Sequence, residues 1–107
     1  EGTMRKKVKT EKVQDLMAEV KKHLDNGTYK FSNHGAERKD QRAVSVPDIT
    51  NALRNGYHEK KKDKWEEAFK NWNYSVRGKS IDDGDLRIIV SFEVFGLLII
   101  TVIRLGV

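Results

Sequence analysis

The chain has 107 residues, 35% of them charged, a net charge of +5 and no cysteine. This length fits one domain with a single core, and the lack of cysteine excludes disulfides, thiolate metal sites and thiol nucleophiles. Residues 1–81 hold 19 Lys and Arg against 12 Asp and Glu, whereas residues 82–107 hold 2 against 4. The positive first part attracts polyanions such as RNA or DNA, although many basic proteins bind neither.

The first residues and the apolar stretches of the sequence predict the cellular location of the protein. We expect Glu1-Gly2-Thr3, ahead of Met4, to be a cloning remnant and residues 4–107 to form a single domain. No signal peptide is visible. Glu93 interrupts the longest apolar stretch, and the uninterrupted part is far shorter than the roughly 18 residues of a membrane span. The sequence therefore predicts a cytoplasmic protein that does not contact a membrane.

Two helices are predicted in the first part of the chain. Residues 10–26 repeat apolar side chains every three or four positions, with Thr10 placed to cap the start and Gly27 to end the helix. After a short extended piece, Ser32 can cap a second helix that continues to Arg42.

The second helix has two different faces. The small residues Gly35, Ala36 and Ala43 predict that it lies close against the sheet, because a bulkier side chain would hold it away. Helical spacing places one imidazole and two guanidinium groups on the other face: His34, Arg38 and Arg42. This face fits either a phosphate-binding site or an ordinary solvated helix surface.

Two further helices are predicted downstream. Ser45 and Asp48 stand at capping-box spacing, so a third helix should follow Ser45 and end before Gly56. The lysine-rich stretch after it fits an edge strand or a loop. Aromatic and small residues then recur at helical spacing over residues 65–72, which predicts a short fourth helix whose aromatics cover the sheet. The same aromatics beside lysines also fit a base-stacking platform.

The stretch Leu86–Leu105 predicts the centre of the sheet. It is rich in β-branched residues and reads as two strands joined by a turn at Val94-Phe95-Gly96. The second strand is apolar on both faces, which is typical of a central strand covered on both sides. Residues 73–81 alternate as another strand. We therefore predict an α+β fold in which three N-terminal helices and a short fourth pack on an antiparallel sheet of about four strands.

Several short motifs, in order along residues 29–104, resemble a bacterial family of small domains of unknown function. That family is grouped with the RelE-like and MqsR-like toxins of type II toxin–antitoxin systems. The motifs are Phe31-x-x-His34-Gly35-Ala36-x-Arg38, Arg42-x-Val44-x-Val46-x-Asp48-Ile49, Leu53-x-Asn55-Gly56, Trp72-x-Tyr74-x-Val76-x-Gly78-Lys79 and Ile100-Thr101-Val102. The resemblance implies a RelE-like fold of the metal-independent ribonuclease type, RNA as substrate and a cognate antitoxin protein as partner.

Metal-independent RNA cleavage uses the substrate's own 2′-OH as nucleophile. It requires a base for the 2′ proton, cations for the charged phosphorane and an acid for the 5′ oxygen. His34 can exchange protons near neutral pH, and arginines bind phosphate in bidentate fashion. The predicted catalytic residues are His34, Arg38, Arg42, Arg77 and Thr101. The predicted RNA-binding residues are Lys39, Gln41, Tyr74 and Lys79. We expect no metal and no cofactor.

Two other functions fit the same residues. One is a basic RNA- or DNA-binding module without chemistry, and the other is an inactive domain that binds a partner protein. Thr101 also fits an ordinary strand position, because threonine is common in strands. The acidic turn Asp82-Asp83-Gly84-Asp85 lacks the spacing of a calcium loop.

Overall fold

The computed structural model describes residues 11–106. The predicted remnant at residues 1–3 and the predicted cap Thr10 lie outside this range. Within it, three α-helices and six strands follow in the order α1 (Leu16–Asn26), β1 (Tyr29–Phe31), α2 (Asn33–Gln41), α3 (Val46–Asn55), β2 (Tyr57–His58), β3 (Lys64–Glu66), β4 (Asn71–Lys79), β5 (Asp85–Glu93) and β6 (Gly96–Arg104). A single turn of 3-10 helix, Lys60–Lys62, links β2 to β3.

The strands form one mixed sheet in the order β1-β6-β5-β4-β2, and β3 pairs with a different part of β4 from the part that pairs with β2. Strand β1 runs parallel to β6, whereas the other pairs are antiparallel. The predicted α+β class and the three N-terminal helices are confirmed. The predicted sheet of about four antiparallel strands is wrong, because short strands at both edges extend it to six and one pairing is parallel.

The predicted fourth helix is also wrong. Trp65 lies in β3 and Trp72 in β4, directly opposite each other in an antiparallel hairpin. Their ring centroids are 5.8 Å apart, edge to face. Phe69 is 78% exposed in the connecting turn. A spacing of seven residues suits two helical turns and equally a cross-strand pair around a short turn, and aromatic pairs favour the strand.

Helix α1 begins later than predicted. Its N-cap is Asp15, whose carboxylate accepts a hydrogen bond from the Ala18 amide, so residues 11–15 are not helical. At the other end, Gly27 has φ 70° and its amide donates to carbonyls of the last turn. This left-handed residue ends the helix as predicted.

Helix α2 docks closely on β6. The Ser32 side chain caps it by accepting from the Gly35 amide. A Cβ on residue 35 would overlap with the Ile99 carbonyl oxygen, so only glycine fits this approach. Ala36 is half-buried. The same expectation for Ala43 is wrong, because Ala43 is exposed beyond the helix end, with φ 53°.

Helix α3 carries the predicted capping box. The Ser45 hydroxyl accepts from the Asp48 amide and the Asp48 carboxylate accepts from the Ser45 amide. Its buried side chains Ile49, Ala52 and Leu53 pack in the core with those of α1 and the central strands. Together α1 and α3 cover one face of the sheet.

Strand β6 contains a bulge that the alternation pattern misses. Ile89 pairs with Thr101 and Val90 with Ile99, so Ile100 is an extra residue. The bulge moves Val102 into the core beside Leu97 and Ile99 and leaves Ile103 half-buried on the other face. Helices α1 and α3 cover one face of β6 and α2 docks on the same strand, whereas Leu98, Ile100 and Ile103 on the opposite face are only half-buried, so the expected full burial of β6 is found on one face.

Candidate functional site

The face of the sheet opposite α1 and α3 holds most of the polar strand residues, and we call it the open face. Paired residues of neighbouring strands share a face, and the pairings Arg77–Arg87, Ser75–Ile89 and Ile89–Thr101 place these residues on it. Two adjacent grooves cross the open face and share one residue, Asn73.

The first groove, about 300 Å³ in volume, lies beside the start of α2, and we call it the His34 groove. Leu98 and Ile100 of β6 form its apolar floor, and the exposed Phe69 stands at one side. Its lining consists of Ser32, His34, Glu66, Phe69, Asn71, Asn73, Ser91, Glu93, Leu98 and Ile100.

The start of α2 is held on β6, and this contact places His34 at the groove. The Ser32 amide donates to the Ile99 carbonyl at 2.9 Å, and the Ser32 hydroxyl donates to the Ile100 carbonyl at 3.3 Å. His34 follows two residues later and is exposed. Its imidazole makes no hydrogen bond to any other residue between 11 and 106. Both ring nitrogens are therefore available to a ligand.

Four polar groups of the groove also lack a partner within the described chain: the side chains of Glu66, Asn73, Ser91 and Glu93. The most buried of them is Ser91, which is 3% exposed. Asn71, in contrast, is satisfied, since its amide donates to the Phe92 carbonyl and accepts from the Trp72 amide. None of these residues was among the predicted site residues. The alternating polar positions of β4 and β5 are the sequence signal that could have indicated them.

The second groove, about 420 Å³ in volume, is basic, and we call it the lysine groove. It is lined by Lys61, Lys62, Lys64, Asn73, Ser75, Arg87 and Ile89. No ion pair joins the three lysines to another described residue. Their charges are therefore available to bind an anion.

A carboxylate beside the lysine groove organises the arginines. Glu59 accepts from Arg87 Nε at 2.7 Å and Nη2 at 3.1 Å, and from the Ser75 hydroxyl at 2.7 Å. Arg77 Nη1 lies 3.7 Å from the same carboxylate. The hydrogen bond from Arg87 lowers the pKa of Glu59 to about 2. This network holds Arg87 in place and neutralises part of its charge.

Arg77 and Lys79 lie away from His34. Arg77 is four residues beyond Asn73 on β4, which at the usual strand rise is about 13 Å. Asp85 sits 3.5 Å from Arg77 Nη2 and 3.0 Å from Lys79 Nζ, and the hydrogen bond from Lys79 lowers the pKa of Asp85. The structure thus places both predicted cations in an ion-pair network rather than in the His34 groove.

The predicted residues of α2 lie along the helix beyond His34. Arg38 Nη1 donates to Gln41 Oε1 at 2.6 Å, and Lys39 pairs with Asp40 at 2.7 Å. Arg42 forms the C-cap of the helix, and its carbonyl accepts from Arg104. None of the predicted four, Arg38, Lys39, Gln41 and Arg42, lines either groove.

The remaining two candidates lie on opposite faces. Thr101 is half-buried on the open face opposite Ile89, without lining either groove. Tyr74 is 3% exposed in the core, where its hydroxyl accepts from the Val13 amide at 2.9 Å. Burial raises the pKa of Tyr74. Because α1 and α3 cover its face, Tyr74 cannot contact RNA on the open face.

The described residues contain neither a three-residue metal-binding cluster nor a membrane-spanning helix. No three His, Asp or Glu side chains between residues 11 and 106 are arranged to hold a metal ion. In the same range, no helix is both long and apolar enough to cross a membrane.

Comparison with known proteins identifies one family. The model of the family described as "Domain of unknown function (DUF4258)" matches residues 31–104, from the end of β1 to the end of β6. No curated protein and no solved structure matches the chain. The matched range includes every residue that lines the two grooves.

Proposed function

We propose that this chain, which belongs to the DUF4258 family of domains of unknown function, is a metal-independent endoribonuclease that binds RNA along the open face of its sheet. The observation that carries the proposal is the location of His34. Its imidazole, which has no partner among residues 11–106, stands at a groove that continues into a second groove with three lysines unpaired in the same range.

The chemistry follows from what RNA itself supplies. The 2′ oxygen attacks the adjacent phosphorus, the bond from phosphorus to the 5′ oxygen breaks, and a 2′,3′-cyclic phosphate and a 5′-hydroxyl result. One proton leaves the 2′-OH and one is delivered to the 5′ oxygen. His34 is the side chain of the groove that carries protons near neutral pH. We assign it the base that takes the 2′ proton, and the 5′ oxygen receives its proton from the resulting imidazolium or from water.

The lysine groove supplies the electrostatic part of the proposal. Unpaired lysines attract the phosphate backbone through long-range charge, and Lys61, Lys62 and Lys64 are not neutralised by described carboxylates. Arg77 and Lys79 are paired with Glu59 and Asp85. We therefore assign phosphate binding chiefly to Lys61, Lys62 and Lys64 and not to Arg77 and Lys79. Arg38 and Arg42 extend the positive surface along α2.

The motif resemblance to RelE-like and MqsR-like toxins extends the proposal to a biological role. In that role the chain is the toxin of a toxin–antitoxin pair, and a cognate antitoxin covers the open face. Co-expression with the protein of an adjacent small reading frame tests this part. A stable complex that no longer cleaves RNA supports it, whereas cleavage at the unchanged rate contradicts it.

The cleavage assay compares three proteins on one RNA in the presence of a chelator. The wild type should release fragments with 2′,3′-cyclic phosphate ends. His34→Ala should cleave at least about 100-fold more slowly, because a positioned proton carrier contributes that much or more. His23→Ala is the matched control, since His23 contacts Thr28 and Phe92 outside both grooves.

Three outcomes separate the alternatives. Loss of cleavage in His34→Ala alone supports the nuclease. Equal rates for His34→Ala and wild type exclude His34 from the reaction. Binding without any cleavage by the wild type supports the second function, a non-catalytic RNA-binding module, which the pairing of Arg77 and Lys79 with carboxylates favours.

A further inference from the structure

We propose that the His34 groove is a nucleobase pocket that accepts cytosine or adenine, whose exocyclic amino group it recognises, and rejects uracil. This inference rests on the RNA binding proposed above. It assigns the base of a nucleotide to the His34 groove and the phosphates of the RNA backbone to the lysine groove. The shape, the unpartnered polar groups and the charges of the groove support it.

The shape of the groove suits a flat ring. Its volume of about 300 Å³ is at the lower end of small-ligand pockets. Leu98 and Ile100 provide an apolar floor, and the ring of Phe69 lines the same groove. Proteins bind unpaired RNA bases by stacking them on aromatic side chains and against apolar surface.

Two polar side chains that line the groove have no described partner and are available to a ligand. Ser91 is 3% exposed, yet its hydroxyl has no hydrogen-bond partner within residues 11–106. Asn73 lies half-buried nearby with its amide also unpartnered in that range. Among the described residues the one buried side-chain polar atom without a partner is Arg77 Nε, so the Ser91 hydroxyl and the Asn73 amide reach the open space of the groove, where a ligand can bond them. A base edge carries the donors and acceptors that would pair with both.

Two carboxylates determine which base edge fits. Glu66 and Glu93 line the groove without a cationic partner among the described residues. An ionised carboxylate only accepts hydrogen bonds. It therefore attracts the N4 amino group of cytosine or the N6 amino group of adenine and repels the O4 carbonyl of uracil. Carboxylate contacts to cytosine N4 follow the same rule in DNA readout.

The two grooves have opposite charges, and this orients the strand. Phosphates are repelled by Glu66 and Glu93 and attracted by the three lysines on the other side of Asn73. A strand can satisfy both grooves by placing one base in the His34 groove, with its ribose and 3′ phosphate beside the exposed His34, and the phosphates of neighbouring nucleotides in the lysine groove. A basic peptide would suit the carboxylates but would be repelled by the lysines of the second groove. The observations therefore favour RNA.

The test measures binding rather than cleavage. Pentamers of 2′-O-methyl cytidine and 2′-O-methyl uridine cannot be cleaved by 2′ attack and differ at the N3–C4 edge of the base, where cytosine has an acceptor N3 and an amino group and uracil has an N3–H donor and a carbonyl. Fluorescence anisotropy should show that the wild type binds the cytidine pentamer at least about five-fold tighter, since a good base contact contributes roughly 1–3 kcal/mol. Glu66→Gln and Glu93→Gln should each reduce this ratio, and the double variant should bring it close to one.

Glu67→Gln is the matched control. Glu67 neighbours Glu66 in sequence but is exposed outside the groove, where it accepts from Lys70 and from the Trp65 indole. This variant should keep the full preference for cytidine. Equal loss of preference in Glu67→Gln and Glu66→Gln would overturn the pocket, because the effect would then come from net charge alone.

The remaining outcomes separate this inference from the proposed function. Equal binding of the two pentamers overturns the pocket, whereas RNA cleavage by the same protein would leave the nuclease intact. Preference for cytidine without any cleavage supports the pocket and contradicts the nuclease. Binding of an oligo-arginine peptide but of neither pentamer assigns the groove to a basic peptide and overturns the pocket, and the cleavage assay then decides on the nuclease.

Discussion

The two faces of the sheet have different roles, although they are built from neighbouring residues of the same strands. The covered face presents seven side chains that are completely buried: Val76, Leu86, Ile88, Val90, Leu97, Ile99 and Val102. The open face presents charged residues that are either paired, as in the Glu59–Arg87 contact, or without a described partner, as in the two grooves. The stability of the fold therefore depends chiefly on the covered face, and the polar residues of the open face remain available to bind a ligand.

The largest difference between the two faces is expected when adjacent residues that point to opposite faces are truncated. Ile88 is completely buried against the helices, whereas Ile89 is half-buried on the open face. We expect Ile88→Ala to reduce the free energy of unfolding by about 2–5 kcal/mol, because it leaves a cavity in the core. Ile89→Ala should cost roughly half as much. Urea denaturation measures both, and equal losses would contradict the division between the faces.

A smaller effect is expected from the paired charges of the open face. The pKa of Glu59 is about 2 in the folded protein, below its ordinary value of 4.5. The ionised carboxylate therefore contributes stability that is complete above pH 4.5 and is lost as the pH falls towards 2. Glu59→Gln should reduce the free energy of unfolding at pH 7 by about 2 kcal/mol, as expected for hydrogen bonds to charged groups.

The pH series distinguishes this linkage from a general loss of packing. The difference in unfolding free energy between wild type and Glu59→Gln should narrow from pH 4.5 downwards and disappear only below pH 2. Glu66→Gln is the control, since Glu66 has no described partner and unpaired surface groups change stability by less than about 0.5 kcal/mol. A difference that stays constant across this pH range would show that the charge of Glu59 contributes nothing.

The lysines of the second groove should have the smallest effect on the fold and a visible one on binding. Replacing Lys61, Lys62 and Lys64 together by alanine should leave the fold stable and weaken RNA binding. The slope of log affinity against log salt should fall by about 0.7 for each phosphate that is no longer neutralised. Lys21→Ala on the exposed side of α1 is the control and should leave the slope unchanged. An unchanged slope in the triple variant would remove the lysine groove from the binding surface.

Local patterns in the sequence predicted the parts of the fold that depend on neighbouring residues. The capping box at Ser45, the close approach at Gly35 and the hairpin turn before Gly96 all follow from nearby residue types. The parallel pairing of β1 with β6 joins residues far apart in the chain, such as Tyr29 and Leu97, and no local pattern contains it. The bulge at Ile100 also depends on the partner strand.

The site was predicted only in part for the same reason. The start of α2 identified His34, because the cap and the imidazole lie close in sequence. Glu66 could not be placed, since residues 65–72 match a helix and a hairpin equally well by spacing. The pairing of Arg77 with Glu59 and Asp85 requires the strand order and the adjoining loops, so a free cation was predicted where the structure has an ion-pair network.

The most direct test of the central claim is to observe which face binds the nucleic acid. Titrating isotope-labelled protein with a 2′-O-methyl RNA pentamer and recording NMR spectra reports binding residue by residue. The largest shifts should fall on His34, Ser91 and Leu98 of the open face, with small shifts for Val20 and Leu53 beneath the helices. Shifts confined to the exposed surfaces of α1 and α3, with His34 unchanged, would contradict the claim that RNA lies on the open face.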